Sequence, residues 1–149
     1  MKSTPIILIS LMLVLSVSAQ ESGIGVGLSD DGLEGKYWMD DKALAIHWNL
    51  ATYLSVDYLL EHDYDMVNIS DNQTPVYYGA GVSLGTTETL NTNLEEETEL
   101  DLHIRGVAGI AYHVSSMPID IYLEIIPSIG VLGDTGVHVG SSFGFRYFF

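Results

Sequence analysis

Five histidines, one serine beside a histidine and a spread of carboxylates are the residues through which this chain could do chemistry. His47, His62, His103, His113 and His138 stand singly, with no His-x-His or His-Glu-x-x-His spacing. A metal needs ligands converging at about 2 Å, and this spacing does not supply them. The histidines are therefore read as members of a polar network, and no metal or cofactor is expected. His113-Val114-Ser115, with Glu124 downstream, has the residue types of a hydrolytic His, Ser and Glu set. A serine nucleophile also needs a base within about 3 Å that is oriented by a carboxylate, so its standing depends on where the fold puts it. Gly23-Ile24-Gly25-Val26-Gly27 lacks the Lys-Ser/Thr and the following helix of a phosphate loop. Asn68-Ile69-Ser70 and Asn72-Gln73-Thr74 match the glycosylation sequon, which matters only in a eukaryotic secretory pathway. Glu95-Glu96-Glu97-Thr98-Glu99 reads as a solvated loop, because contiguous like charges repel. A formal net charge of −15 argues against nucleic acid as a partner. With no cysteine, disulfides, thiolate metal sites and a lipidated N-terminal Cys are excluded.

The elements that must position these residues are strands. Beyond residue 19 the chain alternates with period 2 almost throughout. Strands are expected over 22–28, 33–39, 42–50, 53–61, 76–84, 101–114, 119–132 and 137–149. Short turns carry Asp, Gly, Ser and Pro, and two longer polar connectors run over 62–75 and 85–100. One face of each strand is apolar, as in Leu54, Val56, Tyr58 and Leu60, or Val139, Phe143, Phe145 and Tyr147. The opposite face collects glycines, small residues and nearly all strand charges. A soluble ligand-binding barrel has an apolar interior and a membrane barrel has the reverse. The expected fold is therefore all-β, an eight-stranded antiparallel up-and-down transmembrane β-barrel. Met1-Lys2, the apolar run 6–17 and Val17-Ser18-Ala19 read as a signal peptide over 1–19, too short for the ~20 residues of a helical span. Residues 20–149 would form the barrel domain. Losing Lys2 takes the net charge to about −16, which also disfavours anionic headgroups.

Eight strands enclose a space that side chains can fill. Gly23, Gly25, Gly27, Gly79, Gly81, Gly140 and Gly144 leave room on the inward face. Glu34, Lys36, His47, Asp57, His103, Arg105, Asp120, Glu124, His138 and Arg146 are expected to form a buried polar network there, because buried charges must be paired. A two-residue turn at Asp40-Asp41 sets Glu34 opposite His47, and a turn centred on Thr135 sets Glu124 opposite Arg146. The expectation is a plug, not an open pore. Tyr37, Tyr58, Tyr78, Tyr112 and Tyr147 fall on the apolar face near one end, as an interfacial girdle, with Trp48 at the opposite rim. The His113-Ser115 pair falls at the girdle end with His113 inward, so the hydrolytic geometry looks unmet.

Gly32–Leu50 reads GLEGKYWMDDKALAIHWNL, and with LSVDYLLEH (54–62), YYGAGV (77–82), PIDIYLEIIPSIGVL (118–132) and the ending GFRYFF it resembles a family of small bacterial outer-membrane barrel proteins. The architecture is similar to outer-membrane protein X and the barrel of outer-membrane protein A. The resemblance implies residence in a Gram-negative outer membrane, with membrane lipid and lipopolysaccharide as surroundings. It also implies a monomer inserted by machinery that reads the terminal Phe149, and no catalytic residue carries over. The role expected is structural or envelope-integrity, without enzymatic activity. One alternative is a surface-binding or adhesion-type protein acting through the acidic loop 85–100. A second is a lipid A-modifying hydrolase. Adhesion through protruding strands, as in outer-membrane protein X, is less supported, because the connectors placed outside are short apart from 85–100. The two short first strands are expected to extend into their turns to reach the ~9–11 residues of a span.

Overall fold

The computed structural model describes residues 23–50, 52–62, 74–90 and 96–149. The expected signal peptide over 1–19 lies outside the described residues, as does most of the 62–75 connector. The strands are β1 (Ile24–Ser29), β2 (Gly32–Met39), β3 (Lys42–Asn49), β4 (Tyr53–His62), β5 (Val76–Leu90), β6 (Glu96–Val114), β7 (Ile119–Leu132) and β8 (Val137–Phe148). Each pairs antiparallel with the next, and β1 closes on β8, giving a closed eight-stranded barrel. Asp40, with φ of 59°, takes the left-handed conformation of the tight β2–β3 turn, and Gly133 (φ 75°) does the same after β7. A row of paired residues followed once around the barrel, from His113 through Asp120, Arg146, Gly27, Glu34, His47, Ser55 and Ser83, returns to β6 ten residues away, at His103. With ordinary strand spacings that stagger tilts the strands by about 40° and sets a backbone radius of about 8 Å.

The faces sort as the alternation predicts. Ile46, Val56, Val82, Ile104, Ile125 and Phe145 are exposed on the outside. Glu34, Lys36, His47, Asp57, Arg105, Asp120, Glu124 and Arg146 are buried within. The two tryptophans show the split: Trp48 is 49% exposed and Trp38 3%.

Three expectations need correction. First, the connector 85–100 is strand at both its ends: β5 and β6 extend into it, pairing from Gly85↔Asp101 to Leu90↔Glu96 as a two-stranded ribbon, and residues 91–95 lie outside the described residues. β4 stops pairing at Gly85 and β7 at Leu102, so the ribbon stands beyond both neighbours. The acidic run tolerates this because the register sets Glu97, Thr98 and Glu99 opposite Thr89, Glu88 and Thr87, so no two glutamates face each other. Strands therefore do protrude. Second, Glu124 faces Ser142, and Arg146 faces Asp120. The β7–β8 connector is wider than a tight turn: pairing begins at Ile129↔Val137, and the Gly130 N–H donates to the Gly136 carbonyl across the loop. The slip is even in residue number, so every side chain keeps its face. Third, β1 and β2 each take only one residue from the turn between them, Ser29 and Gly32, and reach 6 and 8 residues among those described, against 15 in β5 and 19 in β6. The barrel has a low wall over β1–β2 and a tall wall over β5–β8.

Candidate functional site

Two adjacent rows of inward residues, each following the pairing around the barrel, build the polar interior. The first is the row from His113 to His103 given above. The second runs Phe148, Gly25, Lys36, Ala45, Asp57, Gly81, Arg105, Ser128, His138. In the second row Lys36, Asp57 and Arg105 each have glycine, alanine or serine on both neighbouring strands. Long side chains thereby find space in a lumen of this radius. Gly27 acts similarly in the first row, leaving Arg146 free to pass over it to Glu34.

Arg146 is the centre of the cluster. It is fully buried, donates from Nε to Glu34, and reaches Asp120 and Glu124 with its two terminal nitrogens at 3.4 Å each. Its guanidinium lies over the Tyr122 ring at 3.7 Å. His47 sits among three carboxylates: Glu34 at 3.4 Å, Asp57 at 3.7 Å and Glu124 at 4.0 Å. Arg105 Nε meets Asp57 at 3.1 Å, and its Nη1 donates to the Tyr53 hydroxyl. Lys36 is held differently. Its ammonium has no hydrogen-bond acceptor among the described residues and is sandwiched over Trp38 and Tyr77, at 4.2 and 4.1 Å from the ring centres. Such a stack suits a desolvated cation. Lys36, Arg105 and Arg146 thus answer Glu34, Asp57, Asp120 and Glu124.

The two ends differ. At the end where β1 begins and β8 finishes, Trp38, Ala43, Leu59 and Phe148 are buried together as an apolar floor. At the other end the lumen opens into a cavity of about 410 Å³ lined by Tyr53, Arg105, His103, His138, Ser128 and Asp31 among others.

The sequence-expected network members occupy two places. Glu34, Lys36, His47, Asp57, Arg105, Asp120, Glu124 and Arg146 converge in the middle. His103 and His138 face inward but sit at the mouth, their rings 5.4 Å apart, with Asp134 at 3.3 Å from His138. Glu34 is opposite His47, as the turn arithmetic predicts. Reading only charges missed the hydroxyl partners: Tyr77 donates to Glu124 at 2.7 Å, and Tyr122 donates to Glu34. Their inward parity was the available signal. His113 also joins, 3.9 Å from Asp120. The girdle tyrosines Tyr37, Tyr58, Tyr78, Tyr112 and Tyr147 all point outward, each within four residues of the strand end nearest the floor. Phe149 ends the ladder, its N–H donating to the Ile24 carbonyl at 3.0 Å and its ring edge-on to Tyr147. The hydrolytic set is not gathered. Ser115 is exposed in the β6–β7 turn, whereas Glu124 is fully buried and bonded to Tyr77 and Arg146. Among the described residues no three His, Asp or Glu side chains come together as a metal site. No family model, curated protein or solved structure matches the chain.

Proposed function

We propose that the protein is an outer-membrane β-barrel with a plugged lumen, serving a structural, envelope-integrity role. The observation that carries this reading is the inverted burial. A belt of Ile, Leu, Val and Phe covers the outside while three cations and four carboxylates are shut inside. In water that arrangement leaves a large apolar surface unpaid for and buries charge needlessly, whereas in hydrocarbon it satisfies both faces. Closure of the sheet supports it, since a barrel has no edge to expose to lipid where all strands pair. The outward tyrosines near one end suit an interface. The terminal Phe149 would serve the insertion machinery, lipopolysaccharide and lipid would be the surroundings, and a single copy completes the barrel. The test is expression in a Gram-negative host, membrane fractionation, flotation with liposomes and gel mobility with and without boiling. Recovery in the outer-membrane fraction with heat-modifiable mobility is expected. A soluble, non-floating chain overturns the reading.

A second reading is favoured by the β5–β6 ribbon, which stands beyond β4 and β7 with no strand paired to its outer edges among the described residues. A ribbon rich in Glu and Thr at a cell surface suits a surface-binding or adhesion role toward basic partners. Excising 88–98 while the barrel still inserts, and finding surface binding of a cationic partner unchanged, eliminates it. The lipid A-modifying alternative has no gathered catalytic set to support it.

A further inference from the structure

The barrel wall has a notch. Strands tilted at about 40° gain about 2.5 Å of height per residue, and each sideways step along a row gains about 3 Å. Measured from the level of His113, Ser29 at the top of β1 stands about 14 Å up and Val137 at the top of β8 about 29 Å up. The apolar outer surface of the tall wall continues to that height, with Val137 77% and Val139 73% exposed. An apolar band of a membrane barrel is about 25 Å tall, so the β1–β2 turn ends near the middle of it, and Trp48, paired with Leu33 and about 17 Å up, stands on this low wall and not at the rim expected for it.

Next to this low point β8 loses its neighbour. Its pairing with β1 stops at Ser29↔Gly144. Asp30 adds one more tie: its N–H donates to the Phe143 carbonyl, and its carboxylate accepts from the Phe143 N–H and the Ser142 hydroxyl, all at 3.0 Å. Backbone groups alternate in direction along a strand. Ser141, Val139 and Val137 therefore turn their N–H and C=O groups to the same side as Phe143, where β1 has ended. Hydrocarbon cannot satisfy such an edge. The mouth cavity reaches this place, because Asp31, His138, Val139, Gly140 and Ser141 all line it.

We propose that the notch is a lateral entry through which the cavity takes the headgroup of a zwitterionic phospholipid or lysophospholipid from the bilayer. The inference rests on the membrane reading above. The acyl chain lies outside against Val137, Val139 and Phe143. The phosphate oxygens meet the N–H groups of the β8 edge that pair with no strand among the described residues, His138 and the Ser141 hydroxyl, and the ammonium faces Asp31. An anionic head without an amine meets Asp31 and Asp101 on the cavity wall with no positive group to offer them. A cavity of about 410 Å³ is in the range of small-ligand sites.

The test uses the mature full-length chain refolded in detergent, with retention of lysophosphatidylethanolamine measured by native mass spectrometry against lysophosphatidylglycerol and free phosphoethanolamine. The ethanolamine lysolipid is expected to bind about tenfold more tightly than either. Gly140→Trp fills the cavity. A Cβ there meets only the Ile126 carbonyl oxygen, at 3.8 Å, so the barrel has room for it. It is expected to lower retention about tenfold, and Asp31→Asn is expected to erase the preference for the amine. Gel mobility on unboiled samples verifies that each variant is folded. Should folded Gly140→Trp retain the lipid as wild type does, or should the two lysolipids bind alike, the lateral entry is wrong while the membrane reading stands. Failure of the wild-type chain to float with liposomes removes the membrane reading and this inference with it.

Discussion

Replacing Arg146 with methionine removes a buried guanidinium that touches three buried carboxylates. Methionine keeps much of the stem's volume but leaves Glu34, Asp120 and Glu124 without the guanidinium that binds them directly. All three carboxylates are nearly or fully inaccessible to water. Breaking a buried ion pair by deleting one partner costs about 3–5 kcal/mol, mostly the penalty of the stranded charge. With a urea dependence of about 2 kcal/mol per molar, the unfolding midpoint falls by about 1.5–2.5 M. The assay is urea unfolding of the refolded protein in lipid vesicles, followed by gel mobility without boiling and by tryptophan fluorescence. A triple variant, Arg146→Met with Glu34→Gln and Glu124→Gln, is expected to regain at least half of the loss, because a neutral replacement of a buried ion cluster is close to balanced. A midpoint shift under about 0.5 M for Arg146→Met alone, with the barrel intact, refutes the reasoning. It would mean that the carboxylates are neutral or hydrated and that Arg146 is not what holds the plug together.

The two tryptophans give a direct check of which face meets lipid: brominated lipid is expected to quench Trp48 and spare Trp38, so Trp48→Phe abolishes quenching and Trp38→Phe preserves it. Equal quenching of both counts against the assigned faces. Gly79→Ala is expected to cost about 1–3 kcal/mol by overpacking, since its Cβ would press on the Tyr58 and Leu59 backbone and lie 2.9 Å from Leu59 Cδ2. Gly140→Ala, whose Cβ would make only ordinary van der Waals contact with the Ile126 carbonyl oxygen at 3.8 Å, should change the urea midpoint by less than the error of the measurement. Planar-bilayer recordings of the purified protein are expected to show no large, stable channel, because the apolar floor of Trp38, Leu59 and Phe148 and the ion cluster above it fill the lumen. A steady large conductance contradicts that packing.

The legible parts of the sequence are those governed by local rules. Alternation separated Ile46 from His47 and Phe145 from Arg146 without any knowledge of partners, because the side-chain period of a strand is two wherever it pairs. The tight Asp40-Asp41 turn fixed the pairing of Glu34 with His47, since a two-residue hairpin leaves one register. The wider connector after β7 leaves several registers of the same parity, and the sequence could not choose between Glu124 and Asp120 as the residue opposite Arg146. The acidic run was misread for a related reason. Like charges next to each other in sequence repel, but in a ladder each has a cross-strand neighbour, and for Glu96, Glu97 and Glu99 those neighbours are Leu90, Thr89 and Thr87.

From its sequence alone this chain is committed to strands with one apolar and one charged face, in the number that closes a barrel, with too little space inside for an open channel. Tertiary structure decided the rest. The ten-residue stagger brings Arg146 of β8, Glu34 of β2 and Glu124 of β7 to one point, though they are far apart in the chain. It also decided that β1 ends low while β8 runs on, which opens the wall beside the cavity. Both depend on how far each strand slides past its neighbour before the sheet closes, and that offset is a property of the whole ring rather than of any strand in it.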